Sequence, residues 1–337
     1  MGGSGAGLIT DYQLHWFPRP FYEALLDRTT EPFAEADGSG GFVFHMSKGG
    51  YFPVPDLFCN LDGIMEELDR NGVGAGVFST ALLADPGPFE AAFARELSLL
   101  LNEVYAEAQR EWGGRFIGLA TLPLHSAELA IEVLDDAVQR LGLRGVLMNS
   151  NAGGRSICTP ELTPLWRRIE ELRVPVFLHP AMRSAALPAL TELGYHPVLD
   201  RYLGGWYDAS LAGLSLILSG LLDELPELIV VQPHLGAMLP FFRAKFDETE
   251  TRFQSQAAER STWYFRNRFY TDCVAWDAPA LALGIAAYGL ERVLYGSDYA
   301  PRLTYPEALS FVRENLPAEQ AEQIFENTLP LLPLSLA

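Results

Sequence analysis

Short apolar runs recur along this chain, and longer stretches with helical spacing separate most of them. Residues 7–12, 75–79, 115–120, 144–148, 174–178, 228–232, 268–272 and 292–295 read as strands. Several, such as VPVFL at 174–178 and LIVV at 228–231, are apolar at every position instead of alternate ones. That pattern belongs to strands of a parallel sheet covered on both faces. Helical periodicity is found over 88–111, 126–141, 159–172, 207–223, 235–254 and 277–288. Eight strands separated by helices predict an α/β fold, a closed (β/α)8 TIM barrel, with residues 1–337 forming one domain. Residues 28–56, rich in Gly, Pro and aromatics, interrupt the alternation. They are expected to be an insertion after strand one, forming an irregular lid over its C-terminal end. Residues 180–206, after strand five, are a second candidate lid.

A chain of 337 residues with 49% hydrophobic content can bury a large core. Its formal net charge of −19 would repel a phosphate backbone, so nucleic acid is not an expected partner. Cys59, Cys158 and Cys273 are odd in number, far apart and without a C-x-x-C pair, which points to a reducing compartment. The opening MGGSGAG has neither a basic nor an apolar region of a secretory signal. The most apolar window, 211–222, is too short to span a bilayer and reads as a buried helix. A cytoplasmic protein acting on a small molecule, without membrane contact, is expected.

Four strand-like runs end in a side chain able to bind a metal: ITDYQLHWF at 8–17, VFLHP at 176–180, IVVQPHLG at 229–236 and VLYGSDY at 293–299. They supply His15, His179, His234 and Asp298. Imidazole and carboxylate are good ligands for Zn²⁺ or Mn²⁺. Alternate residues of a strand share a face, so Gln13 and His15 can reach the same point. The Gln13 amide oxygen is a neutral, weak ligand. It either adds little to a site held by His15, His179 and Asp298, or replaces a lost metal and hydrogen-bonds the substrate. Taken alone, His179 would read as a satisfied core histidine. His45 and His196 fall in the candidate lids, His125 at a helix start on the surface. Asp11 is expected to orient a neighbour or cap a loop. Trp16, Phe17, Tyr51, Phe52 and Trp206 could equally wall a planar substrate or be core.

These runs occur in order with MEELDRNGVGAGVFST (65–80), RFIGLATLPL (115–124), LGLRGVLMNSN (141–151) and LTPLWRRIEELRVPVFLHP (162–180). Together they resemble the amidohydrolase superfamily over nearly the whole chain. The branch resembled includes aminocarboxymuconate semialdehyde decarboxylase and the γ-resorcylate and 5-carboxyvanillate decarboxylases. The resemblance implies one divalent metal on His15, His179 and Asp298, at the position where Gln13 stands for a histidine or glutamate. It implies His234 beside a metal-bound water, with His234 and Asp298 handling protons. Substrate contacts are expected at Gln13, Trp16, Trp206 and Arg243, and the resemblance implies a homodimer that presents Arg243 or Lys245 across its interface. Pro55 stands where the branch's namesake has a carboxylate-binding arginine, and Lys48 is the nearest basic residue upstream. The activity implied is non-oxidative decarboxylation of a small aromatic or unsaturated acid. The alternatives are a hydrolase or hydratase, and a metal-free barrel repurposed as an isomerase, cyclase or non-catalytic partner.

Overall fold

The seven residues Ile9–His15 form the first strand, β1, and every later barrel strand runs parallel to it. The computed structural model describes residues 9–46, 50–181, 198–250, 255–299 and 305–332. Three short strands follow β1: β2 (Phe33–Ala36), β3 (Phe42–His45) and β4 (Tyr51–Val54). The remaining barrel strands are β5 (Val73–Ser79), β6 (Phe116–Thr121), β7 (Gly145–Asn149), β8 (Val176–His179), β9 (Val230–Gln232), β10 (Phe269–Asp272) and β11 (Val293–Leu294). Their order is β1-β5-β6-β7-β8-β9-β10-β11. The ring closes because Tyr12 N–H donates to Tyr295 O (2.8 Å), Asp298 N–H to Gln13 O (2.9 Å) and His15 N–H to Tyr299 O (2.7 Å). The fold is thus the (β/α)8 barrel that the apolar runs predict.

Two apolar layers hold it. Inside the ring, Tyr12, Val77, Leu119, Leu147, Phe177, Val231 and Leu294 meet Leu329 and Leu332 of the C-terminal segment. Outside, the strands' opposite faces pack on helices such as Ala91–Trp112, Thr163–Glu171 and Ala278–Tyr288. Close packing sets residue size: a Cβ on Gly76 would lie 2.2 Å from the Leu14 side chain. Three helices start where the sequence supplies a cap. Asn60, Ser126 and Asp277 accept from the backbone N–H groups of Gly63, Leu129 and Ala280. None of the described helices is long and apolar enough to cross a membrane.

The segment expected to be an irregular lid is instead an antiparallel meander, β2-β3-β4. It has its own core, in which Phe42, Phe44 and Val54 pack on Phe17, Phe21 and Tyr22. The alternation in FVFH, buried at Phe42 and Phe44, is what a half-buried strand requires. Strand one also runs three residues further than expected, to His15: Gln13 and His15 face the inside of the ring, and Leu14 packs in the outer core.

Candidate active site

The register of β1 against β5 slips between Asp11 and Leu14. Because of this irregularity Tyr12, Gln13 and His15 all line the inside of the barrel, beside Ser79, His179 and Asp272. His15 follows the slip with its Nδ1 2.9 Å from Ser79 Oγ and its Nε2 2.9 Å from Asp298 Oδ1. The Gln13 amide lies 3.5 Å from the same Asp298 oxygen. The rings of His15 and His179 stand edge to face at 5.2 Å, and those of His179 and His234 at 6.3 Å. The four strand-end side chains that the sequence singles out are therefore brought together, each of them less than a tenth exposed.

Burial, with His15 and His234 adding repulsion, lowers the His179 pKa to about 3, so its imidazole is neutral. Its Nδ1 lies 2.9 Å from the Pro180 carbonyl, a bond that makes Nδ1 the protonated nitrogen and leaves Nε2 with a lone pair. Two imidazoles and a carboxylate, with both Nδ1 atoms tied to the protein, are a donor set that suits a divalent ion chemically. Among the described residues, no three His, Cys, Asp or Glu side chains are yet spaced around one point. His15 Nε2 and Asp298 Oδ1, 2.9 Å apart, stand close enough to share one ion.

The backbone carrying His234 is unusual. His234, Leu235, Gly236 and Ala237 all have positive φ, at 51°, 53°, 80° and 54°. Three of these are not glycine, and each costs about 1 kcal/mol or more in the left-handed region. The turn is held at its start by His234 N–H donating to Asp272 Oδ2 (2.9 Å) and beyond its end by Met238 N–H donating to Ser210 Oγ (2.9 Å). At Gly236 a Cβ would strike the Tyr288 hydroxyl at 2.0 Å, so the tight packing there admits only glycine. Trp206 stacks on the His234 ring at 5.4 Å and 18°. Asp298 has a φ of 57°, a second strained residue at the same mouth.

Most of the other candidates fall elsewhere. Trp16 is not a wall of the site: its Nε1 donates to Cys59 O, and it packs on Tyr105 and Phe116 in the outer core. Phe17 belongs to the meander's core but also stacks on the His15 ring at 6.2 Å, while Tyr51, on β4, is 61% exposed. Phe52, also on β4, packs at the edge of that core. His45 stacks on Phe33 and lies 3.1 Å from Glu35, away from the centre. His125 is half-buried, not a surface residue, with Nε2 2.8 Å from Phe89 O. Asp11 does act as an orienting group, accepting from Gln13 N–H, Ser297 N–H and the Tyr305 hydroxyl. Arg243 donates to Pro240 O, Lys245 pairs with Glu248, and Arg19 pairs with Asp56 beside Pro55. His196, Lys48 and residues 182–197 of the second candidate lid lie outside the described residues.

Three polar residues at the mouth escaped the sequence reading. Asp272 ends β10 as His179 ends β8, so its place at the close of a predicted strand was a usable signal. Ser79 likewise ends β5. Asp85 gave none: it follows β5 in a loop, is buried, accepts from Gly87 N–H, and its carboxyl is pushed up to about 6 by burial.

Comparison with known proteins agrees with this architecture. The amidohydrolase family profile matches residues 60–328, and the chain belongs to that family. It is 30% identical over 271 residues to the decarboxylase orsB of Emericella nidulans, covering 77% of this chain and 80% of that protein. It is 28% identical over 294 residues to 2-amino-3-carboxymuconate-6-semialdehyde decarboxylase of Dictyostelium discoideum, covering 82% and 79%. Among solved structures, dihydroxybenzoic acid decarboxylase from Polaromonas sp., which contains manganese and the inhibitor 2-nitroresorcinol, superposes with a TM-score of 0.76. That match has 22% identity and covers 96% of each chain.

Asp85 yields a pH prediction. Its folded pKa of about 6 lies above the ordinary 3.8, so its contribution to stability is full below about pH 4 and is lost as pH rises through 6. Asp85→Asn cannot ionise. It should therefore gain on the wild type by on the order of 1 kcal/mol between pH 5 and pH 8, measured by urea unfolding. A difference that does not change with pH would contradict the assignment.

Proposed function

We propose that this chain is a metal-dependent, non-oxidative decarboxylase of a small aromatic or unsaturated carboxylic acid. The observation that carries the reading is the meeting of His15, His179, His234 and Asp298 at one barrel mouth, in a chain whose relatives are named decarboxylases. His15 Nε2, His179 Nε2 and the Asp298 carboxylate would hold a divalent ion, with the Gln13 amide oxygen as a weak fourth donor. Manganese, present in the Polaromonas structure, is the preferred ion, and zinc suits the same donors. When bound, the ion supplies a fixed positive charge that orients and polarises an oxygen of the substrate.

The chain's own residues supply the rest. Trp206, stacked on His234, offers a flat face to a planar acid. Gln13 donates to, or accepts from, a substrate oxygen beside Asp298. Protonated Asp298 gives the carboxyl-bearing carbon its proton and regains one from solvent by way of His234. The bond between the carboxylate and that carbon then breaks heterolytically. CO₂ leaves, and the electron pair returns to the ring or enone. The sum consumes one proton and releases one CO₂, with no oxidant. Arg243 and Lys245 are proposed to serve a partner's site in a homodimer. The adjacent rings of Phe241 and Phe242, 75% and 44% exposed, support such an interface.

Three outcomes follow. His234→Ala and Asp298→Ala should each lower turnover about a hundredfold or more in a CO₂-release screen of aromatic and dienoic acids. Esters and lactones run in parallel; turnover of those alone would make the protein a hydrolase, and isomerisation without CO₂ release a repurposed barrel. Gln13→His should raise metal occupancy after mild chelation, because imidazole is the better ligand. Unchanged occupancy would mean that position 13 does not face the ion. Light scattering should give twice the chain mass, and a monomer would remove the shared-site role of Arg243.

A further inference from the structure

We propose that Asp272 is a positioning residue for His234. It fixes the left-handed turn that carries the imidazole, so that the ring stands between His179 and Trp206. The inference rests on the reading of His234 as a proton-handling group.

Asp272 is 1% exposed and sits at the last position of β10, next to β9, whose chain leads into the turn. Its two carboxylate oxygens do different things. Oδ1 accepts from Val274 N–H at 2.9 Å, a local bond two residues away that any strand-end aspartate can make. Oδ2 accepts from His234 N–H at 2.9 Å, thirty-eight positions away in the chain. That second bond reaches the first residue of a run of four with positive φ. The strand-end cap explains Oδ1 and leaves Oδ2 unexplained, whereas holding His234 explains it.

The surroundings leave the turn few alternatives. Ser210 holds Met238 N–H beyond the far end, and Gly236 packs against Tyr288. Trp206 covers one face of the imidazole. With the far end fixed, the Asp272 bond sets the remaining freedom, which is the direction of the His234 side chain. Asp272 is itself confined, since Gly296 fits between it and Gln13. A Cβ there would stand 3.0 Å from Asp272 Cβ and 3.1 Å from Gln13 Cβ. One aspartate thus keeps the His234 turn and the Gln13 side of the mouth in fixed relation.

The test uses Asp272→Asn, which keeps the shape but offers one accepting oxygen in place of two, and Asp272→Ser as a second variant. His234→Ala is the reference. The first readout needs no substrate: the emission of Trp206, isolated by subtracting the spectrum of the same protein carrying Trp206→Phe. Removing His234 should shift this emission, and Asp272→Asn should reproduce most of the shift while far-ultraviolet circular dichroism stays native. The second readout is kinetic, on the acid that releases CO₂ fastest: kcat should fall about tenfold or more, with KM within about twofold. Wild-type Trp206 emission together with wild-type kcat would overturn the proposal. Loss of the fold in both variants would also overturn it, by giving Asp272 a purely structural role. If the wild type releases no CO₂ from any acid, the decarboxylase reading fails, and the Trp206 comparison still decides the role of Asp272.

Discussion

Everything at the mouth depends on the seam where β1 meets the segment 295–299. A parallel barrel must bond its first strand on both sides, because an open edge would leave a row of unpaired backbone groups. Here three backbone bonds, from Tyr12, Asp298 and His15, close the ring within a few residues. Asp11 reinforces them from the side by accepting from Gln13 N–H, Ser297 N–H and the Tyr305 hydroxyl. Burial pushes its carboxyl up to about 6 despite those bonds. The side chains carried by the seam are Gln13, His15 and Asp298, so closing the fold and assembling the site are one event. Residues 285 positions apart in the chain become neighbours for a reason of backbone hydrogen bonding, before any ligand is considered.

The site joins strain to neutrality. His234 and Asp298 both occupy left-handed backbone, and both are held there by bonds to neighbouring strands. The barrel's packing offsets what these conformations cost locally, in line with the tendency of strain to gather at functional positions. His179 is kept neutral by burial, which preserves a lone pair on Nε2. A carboxylate beside the neutral His179 imidazole can hold a cation or a proton.

Much of this was legible in the chain. Apolar runs with no polar alternation gave the eight strands to within a few residues, because each strand is covered on both faces. Four of them end in or lead into His15, His179, His234 and Asp298, which the barrel gathers. Trp16 was misread: expected to touch substrate, it donates to Cys59 O and packs on Tyr105 and Phe116 in the outer core. Asp272 could have been found by the same strand-end rule. Other features were not legible, for physical reasons. The slip between Asp11 and Leu14 arises from the pairing of β1 with β5 and leaves no mark in composition. The left-handed turn at 234–237 uses three residues that ordinarily avoid that conformation, so only tertiary bonds explain it. The meander at 33–54 looked irregular because its strands are four residues each, too short to show a period.

The central claim is that the seam, together with His179 from β8, builds one cation site from His15, His179 and Asp298. The most direct measurement is anomalous X-ray scattering from crystals soaked in manganese. The account predicts a single strong peak bounded by the Nε2 atoms of His15 and His179 and the carboxylate of Asp298, with the His15–Asp298 hydrogen bond replaced by ligation. A peak elsewhere, or no peak with that hydrogen bond intact at saturating metal, would contradict it.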